Sequence, residues 1–558
     1  MADTTMSPPG TAAGGSRPSL FLRNATGLVK AWSTFDAFIY SFMSVNLVAL
    51  ALYYGTSSGW LEPSGNMLAA TLFTGVAVTF LVIVYAGLVT AMPRTGGDYA
   101  WQSRVLGGGV AFVLAVTGWW FILWYWTPIY GSILIAEFIN PIAATLQWTG
   151  VTTFFTSQWG IFVACLLTLA YVSVVVTLGM ETYAKIQKVS FWLGIAGIAV
   201  VCILLAVFSN SDFQNAYNRE AANLFGASGN AYQATIDAGN KYAGAPLPGL
   251  NVFDTNATLL VVPFLLFALL WPNWGATLYG EVRGAKEIRK PFYSMFWGLW
   301  ATVALVLLLV LLIDKTMTWS FYNAANAALW AGTSPVTIWP NPIMYAGWLV
   351  DSHVFQLILL LVMGAWFFGW AGTLFLSSTR VIFAAAFDRV LPSWAANISA
   401  GRRVPYGALL LMVIPSIVVS ALYAWNVFSF KTFILDAALV IAVTFLGTVV
   451  AAAILPWRRR DIYASSPMAR YSVAGIPALT IAALVTGAFL LFTLWEWLDF
   501  AHFGQSPTTS VYAVNDPTSL KFMGAMYALA IVIYVVAFVV RRNQGIDLNK
   551  IHHEIPVE

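Results

Sequence analysis

The chain has 558 residues, of which 59% are hydrophobic and 9% charged; ordinary soluble domains carry roughly 25% charged residues, so a soluble globular protein is excluded. A mean hydropathy of +0.77 and repeated apolar runs of about 20 residues describe an all-α polytopic membrane protein embedded in a lipid bilayer. The formal net charge of +4 calls for no nucleic-acid partner, because the basic residues lie beside the apolar runs.

Residues 1–22 are polar and rich in Pro, Gly, Ser and Thr, which predicts a disordered tail and no cleavable signal peptide. The hydropathy pattern then predicts about twelve spans, at 33–54, 67–91, 109–138, 158–178, 189–208, 257–282, 292–313, 353–386, 405–425, 432–456, 472–496 and 520–541. With the N-terminus in the cytoplasm, 22 of the 27 Lys and Arg residues fall on the cytoplasmic side. This asymmetry predicts both termini inside and an even number of spans, and the expected location is the plasma membrane. Residues 23–456 then form a ten-helix core, 457–541 two added spans, and 542–558 a cytoplasmic tail.

Within the first span, Ser33 and Asp36 have the spacing of a capping box, and Ser41, Ser44 and Asn46 place small and polar groups in mid-bilayer. After the second span, Gly96 and Gly97 suit a tight turn near an inner gate, or an ordinary loop. The third span carries Trp119, Trp120, Trp124 and Trp126, with Trp120 and Trp124 an i, i+4 pair that packs or lines a gate, and ends with an interfacial Glu137. Cys165 and Cys202 lie inside apolar runs and suggest neither a disulfide nor a metal site. The segments 209–256 and 314–352 either cover an outer vestibule or are tolerated insertions, the latter being the preferred reading.

The sixth span is interrupted by Trp271-Pro272-Asn273-Trp274-Gly275. Pro272 has no N–H for the carbonyl of Ala268, and its ring clashes with that carbonyl. A broken helix at membrane depth either is a simple kink or builds a transport site. Interruptions in the first and sixth spans, five spans apart, fit two inverted five-helix repeats. In the eighth span Thr373, Ser377 and Arg380 share one helical face.

Several short stretches together resemble the amino acid–polyamine–organocation permeases over roughly residues 23–545. They are Ala25-Thr-Gly-Leu-Val29 leading into Ser33–Asp36, Met92-Pro-Arg-Thr-Gly-Gly-Asp-Tyr99 with Ser103-Arg104, Gly280-Glu-Val-Arg283, Ser377-Ser-Thr-Arg380 and Phe387-Asp-Arg-Val-Leu-Pro392. The resemblance implies a leucine-transporter-like fold with 5+5 inverted repeats, discontinuous helices 1 and 6, and alternating access. The chain departs from that family in lacking its Gly-Ser-Gly-Ile-Phe-like run in the first helix, and in reading Leu-Leu-Trp-Pro-Asn after Phe267-Ala268.

On that fold the backbone around Ser44, Asn46 and Leu47 is expected to take a substrate carboxylate. The carbonyls of Ala268 and Leu269 would take its ammonium, with Trp271, Asn273, Trp120 and Trp124 as side-chain contacts. The alternative is that Asn46 and Asn273 only bond neighbouring helices. The resemblance also makes Thr373 and Ser377 candidates for a sodium site, although hydroxyls bonded to their own i−4 carbonyls are commoner. Trp192-Leu-Gly-Ile-Ala196 lacks the lysine of some proton-coupled relatives, and the coupling ion stays open between Na+ and H+.

The functional expectation is a secondary transporter of amino acids or related amines, with no cofactor. A transport-inactive sensor on the same fold is the alternative. A membrane-embedded enzyme is disfavoured because His353, His502, His552 and His553 lie in loops or tails, and a channel because no filter loop is recognisable.

Overall fold

The computed structural model describes residues 28, 30–399, 401–427, 430, 434–498 and 517–554, so the expected disordered tail at 1–22 lies outside the described residues. Among the described residues twelve helical runs are long and apolar enough to cross a membrane: Thr34–Trp60, Met67–Ala91, Gly108–Thr145, Gln158–Thr177, Met180–Val207, Thr255–Glu281, Arg289–Met317, His353–Phe387, Tyr406–Ala424, Ala438–Arg458, Ala478–Glu496 and Leu520–Asn543. They are called the first to twelfth spans below. The first opens with the expected capping box: Asp36 accepts from the Ser33 N–H at 2.8 Å and Ser33 Oγ accepts from the Asp36 N–H at 3.2 Å. Lys188 completes the corner with an ion pair to Asp36 at 2.7 Å.

Several boundaries differ from expectation, the first span running on to Trp60 rather than ending at 54 and the third to Thr145 rather than 138. The fifth span starts at Met180 rather than at 189, its first turns carrying Lys185 and Lys188, the latter paired with Asp36 of the first span. The stretch expected to open the eleventh span at 472 instead forms a two-stranded hairpin, with Val473 opposite Ile476. Ala474 and Gly475 both have positive φ, 51° and 79°, as a two-residue turn of this hand requires.

The segments at 209–256 and 314–352 are not slack insertions. They fold into the helices Asn210–Phe225, Ala231–Ala243, Trp319–Trp330 and Pro342–Trp348. Tyr232 stacks on Phe321 at 4.4 Å with 5° between planes, and Phe213 and Tyr217 pack edge-on against Phe321. Glu220, fully buried, is bonded by Arg219 at 3.0 Å, Gln356 at 3.2 Å and His353 at 3.3 Å, which fastens this cap to the start of the eighth span. Tyr322 donates to the Leu52 carbonyl at 3.3 Å, fastening it to the first.

The opposite, arginine-rich end is held by two buried ion pairs. Arg104 meets Asp388 through two nitrogens at 2.5 and 2.9 Å, and Arg380 meets Glu281 at 2.9 and 3.3 Å. Forked pairs of this kind fix orientation as well as charge. The C-terminal stretch is not a loose tail there. Leu548–His553 is helical, His552 is buried with Nε2 3.2 Å from the Tyr99 hydroxyl, and Arg459 bonds the carbonyls of Arg104 and His553. Residues 555–558 lie outside the described residues.

Candidate functional site

Regular helix stops in the first span at Asn46, whose φ of 54° and ψ of 82° are left-handed. Asparagine tolerates that region better than most residues because its short amide can bond locally. Here Asn46 Oδ1 accepts from the Ala49 N–H and from Trp366 Nε1, each at 2.9 Å. The helix resumes in wider, π-type turns over Leu47–Gly55. In the sixth span the helix Thr255–Leu269 ends before Pro272, and a tighter 3₁₀ stretch follows over Trp274–Glu281. Among the described residues, the carbonyls of Ala268 and Leu269 accept no backbone hydrogen bond. Ser41 Oγ donates to the Pro272 carbonyl at 2.8 Å and joins the two irregular stretches directly.

Between them lies a small cavity lined by Ser44, Leu50, Trp126, Tyr130, Trp271, Trp274, Trp370 and Thr373. Its volume of about 10 Å³ holds about one water. The walls are aromatic: Trp271 is edge-on to Trp126 at 5.6 Å and to Trp274 at 5.4 Å, while Tyr130 stacks on Trp370 at 3.8 Å. No charged side chain is among the lining residues. Such a box offers ring faces to a cation and nothing of opposite charge to an anion except backbone N–H groups.

A family model described as amino acid permease matches residues 33–538 of the chain. The chain belongs to the amino acid permease family. It is also 24% identical over 383 residues to a protein named as an uncharacterized transporter of Rhizobium meliloti (strain 1021), covering 66% of this chain and 69% of that protein. Permease family and relative together point to a multi-pass membrane transporter rather than an enzyme.

The permease brings only part of the expected site together. Ser44, Trp271 and Thr373 line the cavity. Asn46, Leu47, Ala268 and Leu269 are buried at the two irregular stretches but are not among the lining residues. Asn273 does not line the cavity: fully buried, it lies beside the Tyr85 hydroxyl yet outside hydrogen-bond geometry, and neither amide atom has a partner among the described residues. Ser377 is a cross-link, its hydroxyl 2.8 Å from the Tyr40 hydroxyl and donating to the Trp274 carbonyl at 3.0 Å. The Thr373 carbonyl accepts from Trp274 Nε1 at 3.1 Å and Tyr40 at 3.4 Å.

Trp120 and Trp124 do not reach the cavity. Both indoles donate to the Leu411 carbonyl, at 3.1 and 3.2 Å. Pro415, four residues on, has no N–H for that carbonyl, so the tryptophans replace a lost helical bond. The residues that the sequence reading passed over are Leu50, Trp126, Tyr130, Trp274 and Trp370. Part of the signal was present: Trp119, Trp126 and Tyr130 stand at i, i+7 and i+11, one helical face, whereas Trp120 and Trp124 stand on another.

The Gly96–Gly97 turn packs on the sixth span. The Gly96 N–H donates to the Thr277 carbonyl at 2.9 Å. Gly97 has φ 43°, and a Cβ there would lie 3.0 Å from Thr277 backbone atoms.

Proposed function

We propose that the permease is a secondary active transporter of amino acids or related amines, working by alternating access as an ion-coupled symporter or an exchanger. The observation that carries this reading is the meeting of two irregular backbone stretches, at Asn46 and at Leu270–Asn273, on an aromatic-walled cavity. An ammonium group gains ring faces worth about 0.5–2 kcal/mol each when desolvated. It also finds the unbonded carbonyls of Ala268 and Leu269 once the surrounding rings part. A carboxylate has the helix start after Asn46, where Leu47 and Val48 have no backbone acceptor. The small cavity volume suits an occluded state that must open to admit substrate.

The architecture that goes with this reading is a ten-helix core at 23–456 of two inverted five-helix repeats, discontinuous in helices 1 and 6, with two added spans at 457–541. The bias of 22 basic residues among 27 supports cytoplasmic termini, and the reading places the protein in the plasma membrane. The test is uptake into proteoliposomes of a panel of labelled amino acids and amines, with sodium and proton gradients imposed separately. Uptake of at least one compound is expected. No uptake or exchange of any compound by well-folded protein would favour a sensor on the same fold.

A further inference from the structure

Asp98 opens the short helix Gly97–Val105 between the second and third spans and is fully buried. Its carboxylate is a convergence point of three other elements. The Tyr85 hydroxyl of the second span and Thr448 Oγ1 of the tenth, at 2.5 Å, both donate to Oδ1, and Trp119 Nε1 of the third span donates to Oδ2 at 3.0 Å. Gln102 backs this arrangement by donating to Thr448 Oγ1 at 2.8 Å. Among the described residues no Lys, Arg or His bonds Asp98. The charged groups packed around its helix are committed elsewhere: Arg104 to Asp388, and Arg380 of the eighth span to Glu281 at the end of the sixth. His552 of the C-terminal helix bonds Tyr99. Among the described residues Tyr85 is thus the one titratable side chain hydrogen-bonded to Asp98.

An isolated buried carboxylate is costly when charged and is relieved by taking a proton. Burial lifts the Asp98 carboxyl from its ordinary 3.8 to about 6, against the pull of Thr448, Tyr85 and Trp119. The three contacts are all hydrogen donors, which suits a carboxylate and leaves no cage of oxygens for a metal cation.

The same cluster touches the broken sixth span in three ways. Trp119 packs on Trp274, a wall of the cavity, with centroids 4.4 Å apart. The Gly96–Gly97 turn, immediately before Asp98, abuts Ala276 and Thr277. Tyr85 lies beside Asn273, whose carboxamide has no partner.

We propose that Asp98 is a proton-binding site that couples proton uptake to the position of the Trp274–Glu281 segment. A proton from solvent forms an O–H bond on one carboxylate oxygen and turns an acceptor-only group into a donor. With Trp119 donating to Oδ2, the proton is placed on Oδ1, where two donors, Tyr85 and Thr448, already converge, and one of them turns away. Tyr85 has a new partner at hand in the Asn273 carboxamide on the sixth span, whose oxygen can accept once the amide turns toward it. Protonation thereby trades a bond within the second-span corner for one to the sixth span. The proposal rests on the reading of the chain as an ion-coupled transporter, and its test needs no substrate.

The full-length protein in lipid nanodiscs is titrated from about pH 8 to about pH 4 and followed by infrared difference spectroscopy of the carboxyl stretch. With Glu62, whose carboxyl burial raises to about 7, replaced by Gln in every protein tested, a buried carboxylic-acid band should grow in with a midpoint at about 6 and be missing in Asp98→Asn. Thr448→Val, which removes one donor from the ionised form, should raise that midpoint by about one to two pH units and serves if Asp98→Asn does not fold. Hydrogen exchange of the Trp274–Glu281 backbone should change across the same pH range in the wild type, beyond the intrinsic rate, and not in Asp98→Asn. A band that persists in Asp98→Asn, a midpoint unmoved in Thr448→Val, or exchange that responds to pH equally in both proteins overturns the proposal. Failure of uptake would remove the transporter reading and leave this titration standing, whereas failure of the titration would leave uptake standing.

Discussion

Gly97 and Thr277 are in backbone contact: a Cβ on Gly97 would lie 3.0 Å from both the N and the Cα of Thr277. The turn after the second span thus bears on the segment that follows the break in the sixth. Gly97 also has φ 43°, a backbone conformation that a β-branched residue resists.

Gly97→Val should therefore cost transport more than it costs folding. The side chain must push the Thr277 backbone away, which shifts the whole Trp274–Glu281 segment while the twelve spans keep their packing. The expected outcome is normal membrane insertion, a modest fall in melting temperature and uptake reduced at least tenfold. Unchanged uptake kinetics would remove this turn from the mechanism.

Pro272→Ala restores an N–H that can reach the Ala268 carbonyl, an acceptor now without a backbone donor. If that carbonyl takes the substrate amine, one hydrogen bond to a charged group is lost, worth roughly 1.5–3 kcal/mol. Apparent affinity should weaken by about 10- to 100-fold with thermal stability retained. Direct binding of whichever labelled compound the uptake panel identifies is the measurement, and unchanged affinity would make this break purely architectural.

Phe321→Ala tests whether the cap is integral. Phe321 is fully buried and stacks on Tyr232 at 4.4 Å; removing such a ring costs about 3–5 kcal/mol where the cavity cannot collapse. A clear drop in melting temperature is expected, and none would mean that the cap melts independently of the bundle.

Ser465, exposed in the segment between the tenth and eleventh spans, reports orientation. With Arg458, Arg459 and Arg460 beside it, this segment should be cytoplasmic. Ser465→Cys, with Cys165 and Cys202 replaced, should resist impermeant thiol reagents in sealed right-side-out vesicles and react after the membrane is opened. Ready labelling in sealed vesicles would invert the topology.

Stability should depend on pH through Asp98. Its folded carboxyl is raised from 3.8 to about 6, so the stability it contributes is complete below the ordinary value and is lost as pH rises through the folded one. Relative to Asp98→Asn, the wild type should lose stability between about pH 4 and about pH 6, by on the order of 3 kcal/mol. Thermal melts of both proteins across that range decide it, and parallel curves would mean that Asp98 is ionised throughout.

The number of spans was legible in the sequence because a span is a local property: about 20 apolar residues either are contiguous or are not. The capping box at Ser33 and Asp36, the Pro272 interruption and the Gly96–Gly97 turn were legible for the same reason, each being written within a few residues. The facing of the aromatic residues was not. Whether Trp124 or Trp126 looks into the cavity depends on helix rotation, and that is set by neighbours far along the chain, such as the Leu411 carbonyl that Pro415 leaves free. The cap escaped notice because its helices are short and mixed in polarity, so they carry no membrane-span signal and are stabilised by packing on one another. Asp98 read as one residue of a loop motif. Only the fold brings Tyr85, Trp119 and Thr448 onto it, from as far as 350 positions away, and burial and partners at that range, not the residue type, decide whether a carboxylate is a solvated charge or a place to keep a proton.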